Sequence, residues 1–394
     1  MKIIADENMP ALDETFAAGN ELIRLNGRHI SAEDLVGADA LLVRSITRVD
    51  EDLLKNSNIR FVGSATIGID HLDTQWLTAN RIAWANAPGC NADAAAQFTL
   101  AMMMLACKRL DKDLLQQSVG VVGCGNVGSR LVKLLQTLGI KVVTCDPPLQ
   151  DAGQAGLVSM REACQQNIVS VHVPLVKDGP YPTQYLFDQS QLASLKTGTL
   201  LVNAARGGIV EANALLAELL SGRLHAALDV WPNEPFIEHQ LLRATTVATP
   251  HVAGSSVQGK RNGTLMIYRA FCEAFPQQTS RTGLSNLCNS GTIAGTLELP
   301  SGVSLSSTLQ QLLEICCPIA RDDHTLRSLI EKSDYSKSQS IDHHLTLQPR
   351  VQIDGLRSTY PKRHEFASWT LDGSKESIDE RLLKLGFSSA SAAI

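Results

Sequence analysis

The stretch 119–128, Val-Gly-Val-Val-Gly-Cys-Gly-Asn-Val-Gly, limits what this chain can fold into more than any other. An apolar run ends in Gly123-x-Gly125-x-x-Gly128 and opens directly into residues 129–138. There Val127, Leu131, Leu134, Leu135 and Leu138 fall on one helical face. A second apolar run, 140–145, ends at Asp146. Strand, glycine turn, helix, strand and acid together form a dinucleotide fingerprint. Gly123 permits the tight turn, and Gly125 lets the backbone approach a pyrophosphate. Gly128 allows close helix–strand packing, and the helix N-terminus faces the phosphates. Asp146 is placed to accept bonds from the adenosine ribose hydroxyls and to repel a 2′-phosphate, which favours NAD over NADP.

The same alternation extends in both directions. Residues 3–5, 40–43, 61–64 and 82–85 are expected strands, with helical pieces at 32–35 and 51–54. They make a small α/β unit without a fingerprint. The helix expected at 92–109 is the crossover into the nucleotide domain. Beyond Asp146, strands are expected at 168–173, 199–203, 224–230 and 246–248, with helices at 162–166, 191–195 and 213–220. Repeated βα units imply a parallel sheet covered on both faces. The expected fold is therefore α/β: a doubly wound, Rossmann-type nucleotide domain over 91–257 and a flavodoxin-like unit over 1–90. Residues 279–308 turn rich in Ser, Thr and Gly, as a linker would. An α+β region follows, with helices at 309–319, 324–330 and 375–385, an extended segment at 344–353 and a strand at 365–371.

With 394 residues, 44% hydrophobic and 19% charged, the chain has room for two or three soluble domains. A net charge of −5 gives no reason to expect nucleic acid. The nine cysteines include no CxxC and read as reduced thiols, which points to the cytoplasm. Two acids, Asp6 and Glu7, stand where a signal peptide needs an apolar core. The longest apolar tract, 94–107, is too short to span a bilayer, so no membrane is expected. His343-His344 could suggest a metal, but neighbours in a strand point to opposite faces; none is expected.

Polar residues stand just past the carboxyl ends of successive strands, where open α/β sheets bind ligands. Arg206, Asp229 and His251 do so in the nucleotide domain, and Arg44-Ser45 and Thr66 in the N-terminal unit. Hydride transfer from a 2-hydroxy acid needs a base, a cation for the carboxylate and a group that tunes the base. His251 suits the first role and Arg206 the second. Glu234 can pair with His251, and Asp229 can bond the nicotinamide amide or shape the local field. Arg44 is either an anion fork or a member of a surface ion pair.

At these residues the chain resembles the D-isomer-specific 2-hydroxyacid dehydrogenase family. The resemblance rests on Gly123-x-Gly-x-x-Gly128, Asn203-Ala-Ala-Arg206-Gly-Gly, Asp229-Val-Trp-Pro-Asn-Glu234-Pro and Thr249-Pro-His251-Val-Ala-Gly254, in that order. It implies Arg206 as substrate-binding, Glu234 as the histidine's partner and His251 as acid/base. It also implies cofactor contacts from Asp146, Val173, Arg206, Asp229 and Gly254, beside Gly123, Gly125, Asn126, Val127 and Gly128 in the loop. A helix near 258–278 would complete the substrate domain. Asp6-Glu7-Asn8-Met9-Pro10, Val43-Arg44-Ser45, Ala87-Pro-Gly-Cys-Asn91, Lys177-Asp-Gly-Pro-Tyr181, Arg321-Asp322-Asp323 and Leu383-Leu-Lys-Leu-Gly-Phe387 narrow the likeness further. They resemble members that oxidise 4-phospho-D-erythronate in vitamin B6 synthesis. This implies Ser45 and Thr66 as substrate contacts, Arg44 near the phosphate, and 279–394 as a homodimerisation domain. Ser255 stands where those members usually carry tyrosine, and Val173 where threonine is common. A dehydrogenase for another acid such as 3-phosphoglycerate, and a non-catalytic NAD-responsive binding protein, are the alternatives.

Overall fold

The computed structural model describes residues 1–276, 293–300, 302–337, 350–373 and 378–390, the side chains of 331–337 excepted. The chain divides into two compact units, Met1–Asp93 with Ser255–Ile293, and Ala94–Gly254 with Ala294–Ile394.

In the first unit, β1 (Lys2–Asp6), β2 (Glu21–Leu25), β3 (Ala40–Val43), β4 (Phe61–Ser64) and β5 (Ala83–Ala85) form one parallel sheet. Their order is β2-β1-β3-β4-β5, the flavodoxin-like arrangement. The sequence reading missed β2. It is an edge strand whose Glu21 and Arg24 are exposed, so its apolar signal is broken. The piece expected at 32–35 is a single 3-10 turn, Glu33–Leu35. Helix Val257–Ala274 returns to this unit, started by the Ser256 hydroxyl, which accepts the Gly259 N–H at 2.8 Å. Its Phe271 meets Phe16 and Phe61 edge-on, with ring centroids 5.3 and 5.5 Å apart. Gly263 lets the helix lie against the backbone just after β4: a Cβ there would stand 2.7 Å from the Ala65 oxygen.

In the second unit, β6 (Ser118–Val122), β7 (Lys141–Cys145), β8 (Ile168–Val171), β9 (Leu200–Asn203), β10 (His225–Leu228) and β12 (Val247–Ala248) are all parallel. Their order is β12-β10-β9-β8-β6-β7. The Val158 N–H donates to the Thr144 carbonyl of edge strand β7 at 2.8 Å. Alternate residues feed two cores. Val119, Val121, Leu200 and Val202 pack with helix Ala92–Arg109, and Val169, Leu201 and Leu228 pack on the other face. That division is what the period-2 pattern of strands buried on both faces requires. β11 (Phe236–Glu238) is a short strand outside this sheet.

The C-terminal residues belong to this second unit. β13 (Gly295–Glu298) lies within the stretch expected to be a linker, most of whose other residues fall outside the described ones. It joins β15 (Trp369–Asp372) and β16 (Ser388–Ser389) in a parallel sheet, and β14 (Arg350–Gln352) pairs antiparallel with β11. The first helix of the region is Leu305–Cys316, begun by Ser304, which accepts the Ser307 N–H at 3.2 Å. The second runs Ile319–Lys337, longer than the 324–330 expected, and the last is Glu380–Lys384. The strand expected from 365 begins only at Trp369, because Phe366–Ser368 form a 3-10 turn. Leu309, Leu312, Phe366, Leu371 and Leu382 share the core of helix Ala92–Arg109. Of the segment 344–353 expected to be extended, only β14 and Ile353 are described; His343-His344 lie outside the described residues.

Candidate active site

The glycine loop shows why each glycine is there. Gly123 has φ +91°, and a Cβ on it would stand 2.7 Å from the His172 carbonyl. A Cβ on Gly128 would run into the Gly123 oxygen. At Gly125, by contrast, a Cβ would meet nothing within 4 Å. The protein itself therefore gives no reason for glycine at 125, and a phosphate approaching the backbone does. Helix Asn126–Thr137 begins at Gly125 with no side chain capping its first amides, so these N–H groups remain for an anion. Asp146 braces the turn: its Oδ2 accepts the Cys124 N–H at 2.8 Å and its Oδ1 the Leu149 N–H at 3.1 Å. Each carboxylate oxygen keeps a lone pair for a ribose hydroxyl. Val173 is half-buried beside Gly123, its Cγ1 2.8 Å from where a Gly123 Cβ would be. The loop residues thus fit a dinucleotide.

Three further strand ends converge on Trp231. After β9, the Asn203 amide clamps the turn, accepting the Ala205 N–H at 3.0 Å and donating to the Arg206 carbonyl at 2.9 Å. Gly207 lets this turn touch the backbone of Trp231 and Pro232, where a Cβ would collide with the Trp231 carbonyl. Arg206 Nη1 donates to the Ala205 carbonyl at 2.8 Å. After β10, the Trp231 N–H donates to Glu234 Oε1 at 2.8 Å, and the buried indole N–H donates to the Thr249 carbonyl at 2.9 Å. Glu234 Oε2 meets His251 Nδ1 at 2.5 Å. Arg206, Glu234 and His251 therefore stand on three turns that share one tryptophan. Asn203, Gly207 and Trp231 were visible only as members of longer motifs, because their partners lie in other segments.

Burial opposes ionisation of Glu234, but the His251 imidazole and the Trp231 N–H outweigh it and hold the carboxyl below its usual range. An ionised carboxylate only accepts, so His251 Nδ1 carries the proton and Nε2 is the nitrogen left for a substrate. His251 sits at φ +58°, a left-handed conformation that costs a non-glycine residue about 1–2 kcal/mol.

Asp229 ties together the residues on either side of it. Its carboxylate is fully buried, with Oδ1 accepting from Thr249 Oγ1 at 2.6 Å and the Val252 N–H at 2.9 Å. Oδ2 accepts the Ala253 N–H at 2.9 Å. Burial raises its pKa, against the His251 charge and these bonds. Asp229 is thus a staple across the histidine loop, with one lone pair left for any other donor. Gly254 follows directly and ends this unit's continuous run.

In the other unit, Arg44 Nε and Nη2 fork onto the buried Asp6 carboxylate at 2.9 and 3.2 Å. Two of its five N–H groups are so engaged, and the guanidinium is aimed rather than loose. Ser45 is exposed. Thr66 Oγ1 donates to the Gly68 carbonyl at 3.1 Å and meets Ser64 Oγ at 2.8 Å, which in turn meets His71 Nε2 at 2.8 Å. Burial pushes the His71 pKa down. Among the described residues no cluster of His, Cys, Asp and Glu could hold a metal ion. No described helix is long and apolar enough to cross a membrane.

Residues 97–253 match the family model for the NAD-binding domain of D-isomer specific 2-hydroxyacid dehydrogenases. The fold recurs in the NAD+-bound 3-phosphoglycerate dehydrogenase of Entamoeba histolytica, with a TM-score of 0.62 and 22% identity over 71% of this chain and 97% of that one. Fold, loop and histidine–carboxylate pair together define an NAD-dependent dehydrogenase of the D-2-hydroxyacid class. Greater likeness is to named enzymes of that class. The erythronate-4-phosphate dehydrogenase of Azotobacter vinelandii is 42% identical over 366 residues, covering 91% of this chain and 94% of its own. That of Photorhabdus laumondii is 37% identical over 391 residues, covering 98% and 99%. The chain belongs to the erythronate-4-phosphate dehydrogenase family.

Proposed function

We propose that this enzyme oxidises 4-phospho-D-erythronate at C2 to (R)-3-hydroxy-2-oxo-4-phosphooxybutanoate, a step toward pyridoxine 5′-phosphate. NAD supplies the hydride acceptor. His251 Nε2 takes the hydroxyl proton, and Glu234 fixes the ring's tautomer and stabilises its charge as the proton arrives. Arg206 binds the carboxylate and the nascent carbonyl oxygen. Arg44, Ser45 and Thr66 recognise the phosphorylated end, with Asp6 fixing the aim of Arg44. Gly123, Gly125, Asn126, Val127, Gly128, Asp146, Val173 and Gly254 line the cofactor, and Asp229 shapes the loop against it. The observation that supports this reading most is the 2.5 Å contact of His251 with a carboxylate kept ionised.

Mixing the protein with NAD and 4-phospho-D-erythronate produces NADH, faster than with 3-phosphoglycerate. Preference for the second acid would reassign the substrate, and NADH from neither would leave a binding protein. The working form is a cytoplasmic homodimer paired through 279–394, where Val303 and Ile315 are 45% and 54% exposed. A monomer in sedimentation equilibrium would reject that pairing.

A further inference from the structure

The histidine loop is held from two sides by residues far along the chain. On its approach, Asp323 Oδ1 accepts the N–H of Ala248, the last residue of β12, at 2.8 Å. Asp323 is 3% exposed, and its charge is met by Arg327 at 3.0 Å and Arg109 at 2.8 Å. Arg327 also donates to the carbonyls of Leu242 and Thr245, and Arg109 to that of Thr246. One buried carboxylate therefore anchors the whole segment leading to His251. On the far side, Arg363 Nη2 donates to the Ala253 carbonyl at 2.5 Å. Arg363 is 5% exposed; its guanidinium lies 4.9 Å over the Phe98 ring and donates to the Ala94 carbonyl at 3.3 Å.

Ala253 is also the residue whose N–H Asp229 accepts. Its peptide is therefore fixed at both ends, by Asp229 through the nitrogen and by Arg363 through the oxygen. Burying a guanidinium against backbone carbonyls strips it of hydration, a cost that an apolar side chain filling the same space would not incur. What an apolar side chain could not do is hold a carbonyl two residues from a histidine in a left-handed conformation.

We propose that Arg363 and Asp323 are positioning residues for His251, so that the C-terminal region completes the active-site loop as well as any pairing it mediates. This rests on the acid–base reading of His251. Arg363→Met keeps the stem over Phe98 and removes the donor. A misplacement of about 1 Å costs on the order of 10²-fold, so kcat falls ~10–100-fold. KM and NAD affinity stay near the parent values, and the isotope effect with C2-deuterated substrate rises. Arg363→Lys restores a donor to Ala253 and recovers most of the loss. Phe98→Leu removes the ring beneath the guanidinium, lowers the melting temperature and keeps kcat.

Parent-level kcat in folded Arg363→Met, or an equal loss of kcat in Phe98→Leu, overturns the proposal. If Arg363→Met does not fold, Asp323→Asn carries the test. It keeps an oxygen for Ala248 but loses the charge pairing, and kcat falls several-fold with KM steady; an unchanged kcat refutes the role. His251→Ala run alongside separates the two levels. Full activity there removes the acid–base reading itself, whereas an inactive His251→Ala beside a fully active Arg363→Met removes only the positioning.

Discussion

Replacing Glu234 by Gln tests the centre of the proposed mechanism with almost no change of shape. The amide oxygen can still accept the Trp231 N–H, now at 2.8 Å from Oε1, so the turn is kept. The other end changes from an acceptor to a donor facing His251 Nδ1, where the carboxylate stands at 2.5 Å. Two effects follow. The ring is driven toward the tautomer with its proton on Nε2, which cannot accept a proton from substrate. The imidazolium formed in the reaction also loses its counter-charge.

Breaking a buried charge pair by removing one partner costs about 3–5 kcal/mol. Here the side chains are 20% and 28% exposed, so water screens part of the interaction and ~2–4 kcal/mol is the appropriate range. At about 1.4 kcal/mol per decade, kcat should fall roughly 30- to 1000-fold. NADH formation at saturating substrate measures it, with NAD affinity by protein fluorescence as the control. Because the Glu234 carboxyl is held below its usual range, the deficit should be present throughout the neutral region. Turnover equal to the parent, or a loss matched by lost NAD affinity, would refute the pairing as the source of catalysis.

Two loop glycines should fail differently. Gly128→Ala drives a Cβ into the Gly123 carbonyl and should lower the melting temperature and NAD affinity together. Gly125→Ala meets no protein atom within 4 Å, so melting without NAD should be unchanged while NAD affinity falls; an unfolding midpoint that drops equally in both would sink this reading. His172, which bonds Ser170 Oγ at 2.8 Å, has its pKa lowered by burial to about 4. The sign follows from linkage: the folded state prefers the neutral ring, so this stability is complete above the unfolded value near ~6.5 and is lost as pH falls toward ~4. Urea midpoints of the parent should fall across that window more steeply than those of His172→Gln, and parallel curves would count against it.

The dinucleotide loop was legible because its signals are local. Glycine at 123 answers a positive φ, glycine at 128 a close approach, and period-2 and period-3.6 runs mark the strands and helices around them. Helix Ala92–Arg109 matched its expected ends for the same reason. Edge strand β2 and the 3-10 turn before β15 did not announce themselves, since a part-exposed edge strand and a three-residue turn carry little periodicity.

What tertiary structure alone decided is the choice of partners. Arg44 could have been an anion fork or an ion pair; the fold gives it Asp6, 38 positions away, and leaves N–H groups over. Asp229 read as a cofactor contact, and folding spends its carboxylate chiefly on Thr249, Val252 and Ala253. Nothing in the tail hinted that Arg363 would hold a carbonyl 110 residues earlier. Sequence records each residue's steric and hydrogen-bonding capacity, whereas a long charged side chain takes whichever partner the packing of distant segments brings within reach.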